Sequence, residues 1–454
     1  MKLWERVKKS MLENFKQTIG EGGARLTYEE VVIYAEMLAK KLAGVKCCAI
    51  FCSSEMAAAI ALLACFAAGV TAVPLSARYG ELHCQKILDA ISPDAIITDE
   101  DGKYHVRLIA DSQYEVLRIH PALIMCTSGT TGRPKGAMLS EENILTNVRD
   151  IASYFAIGRE DAILIARPLY HCAVLTGEFL TALIKGVKIQ FYSGAFHPPR
   201  LLELVKEYDI TALCGTPTLI GMVAMLQRGK EPCTLKHICI SGECMDKETG
   251  MRIQRAFPQS SIYHVYGLTE ASPRVSYLPP HLFAENADSV GVPLASVEVK
   301  VKNDNGEEVS AGEEGVLWVK GDNVMLGYYH DRKKTEAVLQ NGWLCTGDLA
   351  ILDANGLLRI KGRRDDLIIK AGMNIYPAEI EATLKADSRV REVLAYGYQT
   401  RHGVQIGVKI VCDLSSLEEV KKLCMARLPA FAVPTRIDMV DALPKNGSGK
   451  LIRG

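Results

Sequence analysis

The sequence lacks an excess of charge of either sign, because 53 lysines and arginines balance 53 aspartates and glutamates. A nucleic-acid or anionic-membrane partner favours a clearly basic surface, so we expect neither. The chain has 454 residues, of which 48% are hydrophobic and 7% aromatic, as in an ordinary globular protein. That length is too great for one hydrophobic core, and it predicts roughly two to four domains.

Signals for export and for zinc binding are also missing. None of the 14 cysteines lies in a Cys-x-x-Cys pair, which disfavours a zinc site. The segment Met1–Lys9 is basic, but no apolar stretch follows it, so it predicts an amphipathic helix rather than a targeting segment. We therefore expect a reducing, cytoplasmic location and free thiols.

One long stretch, residues 56–77, carries no charge. Gly69 and Pro74 interrupt it, and alanine is commoner in it than leucine. These features predict a buried helix over Met56–Ala68 and a buried strand over Val70–Leu75, rather than a membrane span.

The remaining pattern predicts an α/β fold. Thr27 and Glu30 form a helix-capping pair, and strands and helices then alternate, which favours mainly parallel sheets covered by helices. Residues 290–361 show short alternating runs with Asn-Gly turns, typical of an antiparallel, barrel-like β subdomain. We predict a large N-terminal domain of two βαβ-type sheets, which includes this subdomain, over residues 1–362. A small α+β domain follows over residues 363–454.

A stretch rich in glycine and hydroxyl groups follows the apolar strand Ala122–Cys126, and it reads Thr127-Ser-Gly-Thr-Thr-Gly-Arg-Pro-Lys-Gly136. Glycines let the backbone approach an anion closely, while hydroxyl groups and a lysine add donors and positive charge. The stretch therefore predicts a phosphate-binding loop. Its candidate ligands are Thr127, Ser128, Gly129, Thr130, Thr131, Gly132 and Lys135.

The Walker A pattern is absent from both lysine-containing glycine-rich stretches. That pattern requires a serine or threonine directly after Gly-Lys. In the first stretch Lys135 is followed by glycine, and in the second, Asn446-Gly-Ser-Gly-Lys450, it is followed by leucine. A P-loop kinase or GTPase is therefore disfavoured.

The phosphate stretch and five further motifs together resemble the adenylate-forming (AMP-binding) superfamily. This superfamily comprises acyl- and aryl-CoA synthetases, peptide-synthetase adenylation domains and luciferases. The resemblance extends from Leu26 to Lys450, with all motifs in the family's order. The five further motifs are Tyr266-Gly-Leu-Thr-Glu270, Thr346-Gly-Asp348, Gly362-Arg-Arg-Asp-Asp366, Gly372 to Glu381, and Pro444-Lys-Asn-Gly-Ser-Gly-Lys450.

The resemblance implies a two-step reaction: an acid and Mg-ATP give acyl-AMP and pyrophosphate, and a thiol then displaces AMP. It implies that Lys450 stabilises the charge that develops as the acyl–phosphate bond forms. Thr269 and Glu270 would bind Mg²⁺, and Asp365 would be the hinge of a mobile C-terminal domain. The implied catalytic residues are Lys450, Thr269, Glu270 and His171, and the implied nucleotide ligands beyond the phosphate stretch are Gly242, Glu243, Tyr266, Gly267, Asp348 and Arg363.

By the same resemblance, Tyr170, Val174, Gly215 and Leu268 line an apolar acid pocket of modest size. Such a pocket suits an aromatic or short-to-medium acyl acid. His171 stands near the position where amino-acid-activating domains carry an aspartate, so an amino-acid substrate is disfavoured. A luciferase-like enzyme would share every motif, whereas a non-catalytic ligand-binding relative would be expected to lose Lys450 or Glu270.

The thiol acceptor stays open between coenzyme A and the phosphopantetheine of a carrier protein. The phosphate stretch begins at residue 127, earlier than in most of the family. We therefore expect a trimmed N-terminal subdomain, as in specialised enzymes that load a carrier protein.

Overall fold

The computed structural model describes residues 2–75, 81–100, 102–127, 134–194, 197–227, 233–370, 373–400 and 403–445. Most of the predicted phosphate stretch, residues 128–133, and the tail with Lys450 lie outside the described residues. All fourteen cysteines lie within these ranges and are free thiols, which confirms that prediction. No helix in the described ranges is both long enough and apolar enough to cross a membrane.

The first part of the chain alternates helices and strands, as the sequence predicts. The Thr27 hydroxyl accepts a hydrogen bond from the backbone N–H of Glu30 (3.2 Å), and the Glu30 carboxylate accepts one from the Thr27 N–H (2.7 Å), so the predicted cap is confirmed. The elements are α1 (Leu3–Glu13), β1 (Thr18–Glu21), β2 (Ala24–Thr27), α2 (Tyr28–Lys40), β3 (Cys47–Ile50), α3 (Glu55–Ala68), β4 (Thr71–Pro74), α4 (Glu81–Ile91), β5 (Ala95–Glu100), β6 (Lys103–Leu108), β7 (Leu123–Thr127) and β8 (Lys135–Leu139).

The alternation continues to residue 293, with one irregular helix. Between α6 and α7 the chain forms a π-helical segment, Leu175–Leu180, and two short 3₁₀ turns occur later, at Thr269–Ala271 and Pro280–Leu282. The elements are α5 (Glu141–Tyr154), β9 (Ala162–Ile165), α6 (Cys172–Val174), α7 (Thr181–Lys185), β10 (Lys188–Phe191), α8 (Pro198–Glu207), β11 (Ala212–Gly215), α9 (Pro217–Gln227), β12 (His237–Ile240), α10 (Lys247–Ala256), β13 (Ser261–Gly267), β14 (Arg274–Leu278), α11 (Phe283–Asn286) and β15 (Val292–Pro293).

The last part of the chain is mainly antiparallel. Two further 3₁₀ turns lie at Arg364–Asp366 and Ala430–Ala432. The elements are β16 (Val297–Lys302), β17 (Glu314–Gly321), β18 (Gly327–Tyr328), α12 (Arg332–Val338), β19 (Leu339–Gln340), β20 (Trp343–Leu352), β21 (Leu358–Arg363), β22 (Ile368–Lys370), β23 (Met373–Ile375), α13 (Pro377–Lys385), β24 (Val390–Thr400), β25 (Gly403–Cys412), α14 (Leu417–Arg427) and β26 (Arg436–Met439).

The strands form two large sheets and three smaller ones. One large sheet has the order β15-β14-β13-β12-β11-β9-β10-β1-β2, and the other has the order β18-β8-β7-β4-β3-β5-β6. The strands from β13 to β1 are mutually parallel, as are β7, β4, β3 and β5. The predicted fold class is confirmed, with β16, β17 and β19–β21 as the antiparallel subdomain sheet.

Two of the buried hydrophobic clusters lie in different parts of the chain. One buried cluster runs from Leu3 to Leu358 and joins both large sheets to the antiparallel sheet. A separate cluster between Ile368 and Ala432 packs β24 and β25 against α13 and α14. The bounds predicted for the two domains, 1–362 and 363–454, stay predictions.

The parallel arrangement determines where polar groups converge. Since β9, β11, β12 and β13 run in the same direction, their carboxyl ends meet at one edge of the sheet, where ligands of open α/β sheets bind. The residues just beyond these four ends include Arg167, Thr216, Gly242 and Leu268. This edge carries the candidate site.

A buried histidine on β13 makes the stability of this sheet depend on pH. His264 is 1% exposed, its Nδ1 lies 3.0 Å from the Ala287 carbonyl oxygen, and burial lowers its pKa from 6.5 to about 4. Below pH 6.5, His264 of the unfolded chain binds a proton, whereas the buried His264 of the folded chain stays neutral. Acid therefore favours the unfolded state and destabilises the fold.

We therefore expect His264 to lower the free energy of unfolding by about 2 kcal/mol when the pH falls from 8 to 5. Urea unfolding at the two pH values measures the change. His264→Gln should show a smaller pH dependence, whereas the exposed control His281→Gln should match the unaltered protein. An unchanged pH dependence in His264→Gln would contradict the assignment.

Candidate active site

The loop after β13 is held by two buried asparagines. The Asn147 side-chain amide donates to the Arg274 carbonyl (2.8 Å) and accepts from the Arg274 N–H (3.1 Å). The Asn323 amide donates to the carbonyls of Ala271 and Arg274, both at 2.9 Å. A Cβ at Gly267 would lie 2.1 Å from the Pro273 carbonyl oxygen, so only glycine fits there. The loop that carries Leu268, Thr269 and Glu270 is thus fixed at the sheet edge.

Tyr266, Asp348 and Arg363 form the first functional cluster. The Tyr266 hydroxyl donates to one oxygen of Asp348, and Arg363 Nη1 donates to the other oxygen at 3.0 Å. Asp348 and Arg363 are cross-strand neighbours on β20 and β21. Burial, reinforced by the carboxylate, raises the pKa of Tyr266 well above its ordinary value, so the phenol stays a donor.

Asp348 is 9% exposed at its side chain whereas Arg363 is 52% exposed. The backbone N–H of Asp348 donates to the Thr346 hydroxyl (3.0 Å), and Arg363 Nη1 also donates to the Thr346 carbonyl (3.1 Å). The carboxylate is therefore fixed in position while the guanidinium faces solvent. This pair offers an acceptor and a cation beside an aromatic face, which suits the ribose and phosphate of a nucleotide.

Lys135, Tyr328 and Glu270 form the second cluster. The Tyr328 hydroxyl donates to Glu270 Oε1 at 2.7 Å, and Lys135 Nζ lies 5.6 Å from the centre of the Tyr328 ring. Lys135 pairs with Thr127 across the hairpin formed by β7 and β8, so the two ends of the predicted phosphate stretch lie side by side.

The second cluster also bears on the predicted magnesium site. Within the described ranges, no group of three or more His, Cys, Asp or Glu side chains could enclose a metal. Mg²⁺ is commonly held by one or two carboxylates together with substrate phosphates and waters. Glu270, with Thr269 in the same 3₁₀ turn, fits such a partial set.

Gly242 and Glu243 follow β12. Gly242 is exposed with φ +95°, which favours glycine. Glu243 accepts hydrogen bonds from the Thr218 hydroxyl (2.7 Å) and backbone N–H (3.3 Å), at the start of α9. Its carboxylate therefore fixes α9, while the backbone of Gly242 remains accessible.

The predicted acid-pocket residues divide between two places. Tyr170, whose ring centre lies 4.1 Å from that of His171, lines a cavity of about 440 Å³ between the two large sheets. Val174 and Gly215 are buried and Leu268 is half-buried, and none of these three lines the cavity. Its walls are apolar and polar in nearly equal parts. The apolar residues include Ile50, Met56, Leu62, Leu75, Leu169 and Leu175, and Glu21 and Glu55 are among the polar groups.

The structure thus brings together Lys135, Glu270, Tyr266, Asp348 and Arg363 around one edge. Asp365 lies in an exposed 3₁₀ turn directly after β21. The roles of Ser128, Gly129, Thr130, Thr131, Gly132 and Lys450 concern positions outside the described residues, and the Thr127 side chain is likewise not described.

Sequence reasoning missed Tyr328, Thr346 and Arg167. Tyr328 contacts Glu270, 58 positions away, and no spacing in the sequence predicts this contact. Thr346 lies in the motif Thr346-Gly-Asp348, but its role as an acceptor for the Asp348 N–H was not predicted. Arg167 does carry a signal, because this basic residue lies three positions before Tyr170, one of the predicted acid-pocket residues.

Comparison with known proteins agrees with this geometry. The family model described as "AMP-binding enzyme" matches residues 6–118 and 110–329, and that described as "AMP-binding enzyme C-terminal domain" matches residues 379–450. The chain belongs to the AMP-binding enzyme family, and the resemblance drawn from the motifs is confirmed.

Several relatives are similar over long segments. A feruloyl-CoA synthase of Amycolatopsis sp. is 31% identical, with 99% of this chain and 96% of the relative covered. A long-chain-fatty-acid–CoA ligase of Haemophilus influenzae is 34% identical over 75% of this chain and 62% of its own length. The solved structure of the o-succinylbenzoate CoA synthetase of Bacillus subtilis in complex with the acyl-adenylate OSB-AMP is 27% identical in sequence and has a TM-score of 0.86. The match covers 99% of this chain and 97% of that chain.

The first cluster yields a test of nucleotide binding. Asp348→Asn removes the charge that holds Tyr266 and Arg363, so we expect AMP to bind about tenfold or more weakly, as for loss of one charged hydrogen bond. Isothermal titration calorimetry measures this affinity. Asp353→Asn is the matched control, because Asp353 pairs with Arg359 (2.7 Å) on the same subdomain. Equal AMP affinity in Asp348→Asn and Asp353→Asn would contradict the role.

Proposed function

We propose that this chain converts a carboxylic acid and ATP to acyl-AMP and pyrophosphate, and then transfers the acyl group to the thiol of coenzyme A. The observation that carries the proposal is the arrangement of Tyr266, Asp348 and Arg363 opposite Lys135 and Glu270 at one sheet edge. Family membership and the CoA-forming relatives support it.

The nucleotide would lie along this edge. The Tyr266 ring and the exposed backbone of Gly242 would contact the adenine, and Asp348 would accept hydrogen bonds from the ribose hydroxyls. Arg363, half exposed beside Asp348, would pair with a phosphate or ribose oxygen. Lys135 and the phosphate stretch would hold the triphosphate.

Glu270 and Thr269 would hold a magnesium ion together with the phosphates. A solved relative, the o-succinylbenzoate CoA synthetase of Bacillus subtilis, is described in complex with ATP and magnesium ion. Such an ion supplies charge neutralisation for the departing pyrophosphate. Tyr328, which donates to Glu270, keeps one carboxylate oxygen oriented and leaves the other free to face the ligand.

Lys450 would stabilise the negative charge between the acid carboxylate and the α-phosphate, without transferring a proton. The C-terminal unit, residues 363–454, would pivot at Asp365 so that Lys450 serves only the first step. Electrostatic help of this kind acts in the adenylation transition state and not in attack by the thiol.

For the substrate we propose an aromatic or short-to-medium acyl acid. The cavity lined by Tyr170 offers an apolar wall for the body of such an acid, next to polar groups, and its volume of about 440 Å³ lies toward the small end of ligand sites. For the acceptor we propose coenzyme A rather than a carrier protein, because the feruloyl-CoA synthase relative covers nearly the whole chain.

Lys450→Ala should lower acid-dependent ATP–pyrophosphate exchange by about two to three orders of magnitude, as for loss of a major transition-state charge. Transfer from preformed acyl-AMP to coenzyme A should change little. Lys445→Ala is the control, because Lys445 lies in the same tail but pairs with Glu392. Equal loss of both steps in Lys450→Ala would refute the assigned role.

A panel of benzoates, cinnamates, fatty acids and amino acids, assayed by pyrophosphate release, tests the substrate class. We expect aromatic and short-to-medium acids to give the highest kcat/KM. With the best acid, coenzyme A and a phosphopantetheine-loaded carrier protein are then compared as acceptors at equal concentration. A preference for amino acids would refute the acid assignment, and faster transfer to the carrier protein would refute the acceptor.

A further inference from the structure

A cluster of exposed apolar side chains lies in the first helices of the chain, outside the candidate site. Five of the thirteen large hydrophobic residues that are exposed in the described part of the chain lie within residues 12–37. They are Leu12, Phe15, Ile33, Tyr34 and Met37, with exposed fractions between 41% and 57%. Single exposed apolar side chains are normal, but a group of them commonly marks a surface that binds another molecule.

The outer side of α2 carries a regular stripe of exposed residues. Glu30, Ile33, Met37 and Lys40 are all exposed, and they follow the spacing i, i+3, i+7 and i+10. In an α-helix this spacing places the four side chains in one row along the helix. It is also the spacing of the residues through which two helices pack side by side in a coiled coil. The opposite side of α2 packs against α1 and α3.

The two ends of this stripe carry opposite charges. Glu29 and Glu30 lie in the first turn of α2, and Lys40 and Lys41 lie at its end. All four residues are exposed. Hydrogen bonds from the Thr27 backbone N–H and hydroxyl hold the Glu30 carboxylate and lower its pKa, so it is charged at neutral pH. The outer side of α2 is thus acidic at one end, apolar in the middle and basic at the other end.

This order of charges is complementary to itself in a second copy related by a two-fold axis. The stripe is symmetric about Ala35, because positions 30 and 40 are equally far from it, as are positions 33 and 37. In an antiparallel pair of helices centred there, Ile33 of one copy lies beside Met37 of the other. Glu30 likewise lies beside Lys40. A two-fold contact uses the same surface on both copies and therefore requires such self-complementarity.

The surroundings of the stripe also favour a second copy. Glu36 forms an ion pair with Lys8 of α1, and Leu12 lies one helical turn after Lys8, so it extends the apolar surface on that side. The formal net charge of zero leaves little overall repulsion between two copies. An anionic membrane surface suits this region less well, because its ends carry as many acidic as basic groups.

We propose that two copies of this chain associate through α2, in an antiparallel pairing across a two-fold axis at the level of Ala35. The inference does not depend on the proposed function, because no residue of α2 belongs to either functional cluster. A standard interface buries about 800 Å² on each partner. One helix face with a few apolar side chains is smaller, so we expect a reversible dimer with a dissociation constant in the micromolar range.

Sedimentation equilibrium of the full chain tests this association, over about 1 to 300 µM, a range that brackets micromolar dissociation constants. We expect a reversible change from the monomer mass to twice that mass as the concentration rises. The monomer mass at every concentration would overturn the proposal. Binding to vesicles of phosphatidylcholine and phosphatidylserine by a chain that stays monomeric would overturn it in favour of a membrane surface.

Met37→Glu tests whether α2 forms the contact. The new carboxylate would lie beside Ile33 of the other copy and lose water there, so we expect the dimer to dissociate at least about tenfold more readily. Met225→Glu is the matched control, because Met225 on α9 is similarly exposed, and circular dichroism checks that both variants keep the fold. Equal dissociation constants in the two variants would show that α2 is not the interface.

Charge reversal tests the antiparallel arrangement. Lys40→Glu brings acidic groups together at both ends of the pairing, and Glu29→Lys brings basic groups together. Each should weaken the dimer by about threefold or more, since each contact occurs twice. In the double variant these two charges are opposite again, so adding Glu29→Lys to Lys40→Glu should recover part of the affinity. A double variant that dimerises no better than Lys40→Glu alone would overturn the antiparallel pairing.

Discussion

The fixed loop after β13 is the constraint on which the rest of the candidate site depends. Its backbone groups are buried, and buried peptide groups must find partners. Asn147 of α5 and Asn323, just before β18, supply them, and both are fully buried. Tyr266 precedes this loop and Glu270 lies in it, so their positions depend on hydrogen bonds made by two asparagines outside the loop.

From this loop the two functional clusters diverge. Tyr266 reaches β20 of the antiparallel sheet, and Glu270 reaches Tyr328 on the edge strand of the other large sheet. Three sheets thus contribute to one site. Burial raises the pKa of the Tyr266 and Tyr328 hydroxyl groups, so both stay neutral and donate to their carboxylates. Neutral phenols add no negative charge that would repel a bound polyphosphate.

Much of the fold could be predicted because its signals are local. The cap at Thr27 and the helix predicted over Met56–Ala68 depend on residues within one or two turns. The structure shows both, with the helix over Glu55–Ala68. The irregular helix at Leu175–Leu180 and the pairing of β24 with β25 were not predicted. The first breaks the regular helical period, and the second depends on tertiary packing, which can override local propensity.

The sequence by itself determined the fold class and the family. The motifs from the phosphate stretch to Lys450 are defined by residue type and order along the chain, so they can be recognised without a structure. Only the tertiary structure placed Arg167 beside Gly242, 75 positions away, and paired it with Glu178 inside the fold. The physical reason is that the pairing of buried charges depends on which side chains are neighbours in space. The spacing of residues along the chain does not reveal those neighbours.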